Sequence, residues 1–136
     1  MGLERFIKAQ DRDYDTALSE IKSGRKCSHW MWYIFPQLAA LGRSDMAKHY
    51  GINGRAEAEA YLGDSILGKR LVEISKTLLS VSSNNATLVM GSPDDLKLRS
   101  SMTLFAMVKN ADSVFQAVLG KFYGGEKDKA TVELLR

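Results

Sequence analysis

The chain has 136 residues, 45% of them hydrophobic and 26% charged, with one cysteine and a formal net charge of +3. That length is enough for one domain with its own core, and that composition excludes a long disordered tract. The longest apolar run, Trp30 to Pro36, falls far short of the ~20 residues a bilayer span requires, so no membrane-spanning helix is expected.

The basic residues are dispersed, with a local excess only at Lys22, Arg25 and Lys26, which argues against a nucleic-acid surface. The lone Cys27 and the absence of an apolar leader at the start of the chain point to a cytoplasmic location.

In chain order, Leu3, Phe6 and Ile7 recur at helical spacing, and after the polar stretch Asp11-Arg12-Asp13 the pattern resumes at Tyr14, Ala17, Leu18 and Ile21. This predicts two short amphipathic helices, the second capped by Asp13 and stopped at Gly24. Ser28 to Phe35 reads as a short buried helix capped by Ser28 and ended before Pro36, although its aromatic residues also suit a buried strand. Ser44 to Tyr50, closed by Gly51, and Asn53-Gly54 through Leu62 give two more helices.

Asp64 caps the next helix, whose Leu67, Leu71, Ile74 and Leu78 form one apolar stripe. Ser80 to Asn85 reads as a loop. Ser92-Pro93-Asp94-Asp95 combines a capping serine, a proline at the first helical position and two carboxylates at the positive end of the dipole; that helix should reach about Lys109. Asp112 caps a helix ended by Gly124-Gly125, and Asp128 begins the last one. The expectation is an all-α fold: a single compact orthogonal-type bundle of about seven to eight short helices around one buried helix, forming one domain over residues 1–136.

The helix from Pro93 is the expected buried one, because Leu98, Met102 and Phe105, then Leu96 and Met107, then Leu104 and Val108 place apolar residues all round it. It also carries Lys97 and Arg99. Asp95 stands four residues before Arg99 and should pair with it, whereas Lys97 has no such partner. Their charges would suit either a solvent channel or a pocket for an anion.

In the aromatic segment, Trp30 and Trp32 can serve as core or as a stacking surface for a planar ligand, with Gln37 at its end as a polar contact. His29 is the one group there able to move a proton near neutral pH. Cys27 and His29 do not face each other on a helix, and one cysteine with His29 and His49 cannot make a zinc site, so no metal and no cofactor are expected.

Gly24-Arg25-Lys26, Ser28-His29-Trp30-Met31-Trp32, Ile34-Phe35-Pro36-Gln37, Gly42-Arg43-Ser44, Tyr50-Gly51 and Ser92 to Ser100 with Met102-Thr103-Leu104-Phe105 together resemble the DUF1810 family over nearly the whole chain. The resemblance implies a small, mainly α-helical protein. It implies no activity and no catalytic residue, because the family is defined without a function.

The residues themselves suggest a site for an anionic, partly planar small molecule, of nucleotide or ADP-ribose type, in a binding domain or an enzyme. Lys26, Lys97 and Arg99 would hold its charge, Trp30 or Trp32 would stack, Gln37 would contact it, and His29 would be the catalytic group. The competing reading is a non-enzymatic interaction module, such as a homodimer, that uses the same aromatics as core or interface.

Overall fold

The computed structural model describes residues 2–136. Its first helix, α1, runs Glu4–Lys22 without interruption, where two helices were expected. Phe6, Ala9, Gln10, Tyr14, Ala17 and Ile21 lie on one continuous buried face, so the polar residues at 11–13 are the outer turn of that helix and not a break. Asp13 does not cap; its carboxylate accepts a hydrogen bond from the Tyr33 hydroxyl. Gly24, with φ of +86°, provides the expected stop.

The aromatic segment contributes only a four-residue helix, α2 (Met31–Ile34). Ser28 lies outside it, with its hydroxyl on Glu20. A 3-10 turn at Ala39–Leu41 leads to α3 (Asp45–His49), where the Ser44 hydroxyl accepts from the Ala47 amide at 3.1 Å.

Then follow α4 (Gly54–Gly63), α5 (Leu67–Ser80), α6 (Ala86–Met90), α7 (Asp94–Ala106), α8 (Val114–Tyr123) and α9 (Lys129–Leu134). The fold is all-α: among the described residues there are nine α-helices and no strand. None of these helices is long and apolar enough to cross a membrane.

The expected starts at Asp64, Asp112 and Asp128 form through side-chain oxygens that accept the free amides of Leu67, Val114 and Thr131. Helix α6 was not anticipated. It grows from the Ser- and Asn-rich loop, whose Asn85 accepts from the Leu88 amide at 3.1 Å.

The stripe Leu67, Leu71, Ile74 and Leu78 makes α5 the shared wall between α1 and α8, and α7 packs mainly on α8. Helix α7 is buried on all sides only in its second half. Ser100 to Phe105 are enclosed, whereas Leu96 is 59% exposed, and the helix ends at Ala106, one turn short of Lys109. Ser92 does not cap it; Pro93 holds the cap position, preceded by a cis peptide bond.

Residues 38–52 form a closed loop. The Ala39 amide donates to the Ile52 carbonyl and the Ile52 amide to the Gln37 carbonyl, each at 2.9 Å, which joins the loop's two ends. Arg5 pins this loop to α1 by donating to the carbonyls of His49 and Gly51, both at 2.8 Å, while pairing with Glu57 at 2.9 Å.

Gly51 serves close approach and does not close α3 in a left-handed turn. A Cβ there would lie 2.3 Å from the Ala39 Cα. Gly51→Ala should therefore cost about 2 kcal/mol or more in urea unfolding, as overpacking does. Gly63→Ala, in open space at the end of α4, should be neutral or stabilising in the same measurement.

Candidate functional site

The last turn of α1 carries Glu20, and its carboxylate gathers the segment that follows. It accepts from the amides of Cys27 (2.7 Å) and Ser28 (2.9 Å), from the Trp30 indole N–H (2.9 Å) and from the Ser28 hydroxyl. Burial alone would raise this carboxyl group, yet the hydrogen bonds from Ser28, Cys27 and Trp30 outweigh it and hold the pKa at about 2.

Lys26 belongs to the same knot. Its ammonium lies 2.9 Å from Asp94 in the first turn of α7, donates to the Ser28 carbonyl and sits 4.9 Å from the Trp30 ring centroid. With its side chain 7% exposed, it joins α7 to the aromatic segment. Trp30 is fully enclosed beside it, and His29 points the segment's polar side to solvent as an exposed residue.

A cleft of about 580 Å³ opens on the other side of α7, between that helix and the closed loop. Lys97, Arg99 and Ser100 line it from α7, and Gln37, Arg43 and Ser44 from the segment opposite. Its volume lies in the usual range for small-molecule sites.

The Arg99 guanidinium donates to the Glu126 carbonyl at 3.0 Å and pairs with the Glu126 carboxylate at 3.1 Å. The pair expected between Asp95 and Arg99 does not form, because Asp95 instead accepts from the Thr87 hydroxyl at 2.6 Å. Lys97 reaches a carboxylate only at 3.9 Å, on Asp94. The side chains of Arg43 and Gln37 line the cleft with no hydrogen bond or ion pair to any described residue. Asp128 also faces the cleft, but its carboxylate is engaged in capping α9.

A narrow slot between Trp32, Phe35 and Tyr50 joins the cleft at Gln37, Ala47 and Lys97. With about 10 Å³ free it holds roughly one water.

Of the residues singled out from the sequence, Gln37, Lys97 and Arg99 meet in this cleft and Trp32 lines the adjoining slot. Lys26, His29 and Trp30 do not line it. Arg43 was missed because an arginine on an irregular loop has no periodicity to mark it. The Gly42-Arg43-Ser44 stretch, quoted above for the family resemblance, was the one signal present.

Together these features define a small all-helical protein with a cationic surface cleft. The family model described as "Protein of unknown function (DUF1810)" matches residues 1–135, and the chain belongs to that family. Among solved structures it is similar to the conserved hypothetical protein Rv1873 from Mycobacterium tuberculosis, with 47% identity and a TM-score of 0.95, covering 98% of this chain and 95% of that one. No curated protein matches it.

The Glu20 knot has a pH signature. Because the folded-state pKa is lowered from an ordinary value near 4.5 to about 2, its contribution is complete above pH 5 and is lost as the pH falls through about 2. Glu20→Gln should lose about 2 kcal/mol at pH 7 in denaturant titrations. Its stability should also vary less than the wild type's between pH 5 and pH 2.

Proposed function

We propose that the cleft between α7 and the closed loop binds an anionic small molecule of nucleotide or ADP-ribose type. The observation that carries the reading is the convergence of Arg43, from the closed loop, with Lys97 and Arg99, both from α7, on one concave surface. Its one lining carboxylate among the described residues, Asp128, is already committed to capping. Guanidinium and ammonium groups facing one cleft favour phosphate or carboxylate oxygens through charge-assisted hydrogen bonds.

The planar part of such a ligand would lie toward Trp32, at the point where the slot meets the cleft. The slot is closed to anything larger than a water, so stacking there requires the loop at 38–52 to move outward. His29 does not line the cleft, and the reading is accordingly one of binding, with no proton-transfer role assigned to His29.

The interaction-module alternative draws less support. Trp30 is sealed and Trp32 is half-buried, so neither tryptophan presents an exposed face for a partner. A cytoplasmic location, argued from the lone Cys27, belongs to the same proposal.

Thermal unfolding with added ADP tests the reading. Ligand at a hundred times its dissociation constant should stabilise the wild type by about 2.7 kcal/mol. Lys97→Ala and Arg43→Ala should each weaken binding about tenfold or more, as loss of a charge-assisted contact does. His29→Ala should respond like the wild type. Absence of any shift in the wild type at millimolar ADP, or an undiminished shift in the Arg43→Ala/Lys97→Ala double variant, would refute it.

A further inference from the structure

On the far side of Leu96 from the cationic cleft lies a second concavity of about 610 Å³, between the loop before α6 and the end of α8. Leu96 lines both, so the two form one continuous surface path over an exposed leucine. The chemistry changes across that ridge. Among the described residues no lysine or arginine lines the second concavity; Ser83, Asn84, Asn85, Thr87 and Asp95 supply its polar groups and Phe122 and Tyr123 its aromatic ones.

These groups are held in place. The Asp95 carboxylate accepts from the Thr87 hydroxyl at 2.6 Å and from the Leu96 amide at 2.9 Å, one donor on each oxygen, which leaves each oxygen able to accept another. The Tyr123 hydroxyl donates to the Asp95 carbonyl, and the Arg99 guanidinium lies 5.9 Å from the Tyr123 ring centroid. Arg99 thus lines the cleft and also approaches a ring of the second concavity. The Asn84 side chain makes no hydrogen bond to any described residue and offers both donors and an acceptor.

A carboxylate that accepts from neutral donors alone repels phosphate. Combined with an amide and aromatic carbon, it suits an uncharged group rich in hydroxyls, whose O–H groups donate to Asp95 and whose C–H faces lie on the rings. We propose that this concavity is a sugar subsite, and that the ligand of the whole surface is a nucleoside diphosphate sugar. The diphosphate lies at Arg43, Lys97 and Arg99, and the terminal sugar crosses Leu96 to reach Asn84 and Asp95. This rests on the reading of the neighbouring cleft as an anion site.

Calorimetric titration of the full chain with ADP and with ADP-ribose separates the two ideas. ADP-ribose should bind at least tenfold more tightly than ADP. Asn84→Ala should shrink that ratio below threefold while leaving ADP affinity unchanged, and Asp95→Asn should shrink it likewise; Asn84 is exposed and Asn84→Ala carries no risk to folding. Equal affinity of the wild type for the two ligands overturns the sugar subsite and leaves the anion cleft standing. A tenfold preference that survives both substitutions also overturns it. Failure of either ligand to bind removes the cleft reading and this one with it.

Discussion

Glu20 is the constraint on which the rest of the structure depends. Its carboxylate collects four donors from three residues of the segment that follows, Cys27, Ser28 and Trp30, and so converts a segment without regular structure into a fixed bracket. Every buried amide and indole N–H must find an acceptor, and here one ionised group satisfies several at once. Trp30 is thereby seated in the core against Phe35. Lys26 is seated against Asp94, and that contact fixes where α7 begins. The cleft residues Lys97 and Arg99 lie on the first two turns after that contact, so their position descends from a carboxylate on α1.

The cations of this protein divide by what they touch. Arg5 closes the loop at 38–52 through the carbonyls of His49 and Gly51. Arg55 reaches the carbonyl of Leu135, joining α4 to the end of the chain. Lys121 donates to the carbonyls of Leu78, Leu79 and Val81, satisfying acceptors left open at the C-terminus of α5; burial lowers its pKa. Against that background the cleft differs, because Arg43 has no partner among the described residues and Lys97 is only loosely paired on a concave surface.

Polar order also extends into the core. Gln10, fully enclosed on α1, donates to the Tyr33 carbonyl at 2.8 Å and the Tyr61 hydroxyl at 2.9 Å, and accepts from Arg70 at 3.4 Å. This network joins α1 to α2, α4 and α5 at one point. Burial raises the Tyr61 hydroxyl well above its ordinary pKa and keeps it neutral. The Ser101 hydroxyl is the one buried side-chain oxygen without a partner among the described residues.

What is local was legible in the amino-acid order: the all-helical class, the stripe on α5, and the helix starts at Ser44, Asp64, Asp112 and Asp128, where a side-chain oxygen reaches amides two or three residues away. Local pattern alone misplaced what depends on distant partners. Asp13 and Ser28 have the chemistry of caps, but Tyr33 and Glu20 compete for their side chains and take them. Arg99 has Asp95 at helical spacing, but Thr87 and Glu126 engage the two separately.

The same reason governs the site. Lys97 and Arg99 were legible as charges on an otherwise apolar helix, and Gln37 as the polar end of an aromatic run. That Gln37, Arg43, Lys97 and Arg99 face one cleft while His29 lies outside it follows from packing between distant segments. Convergence depends on the closure of the loop at 38–52 and on the Lys26–Asp94 contact, and both are made between residues far apart in the chain.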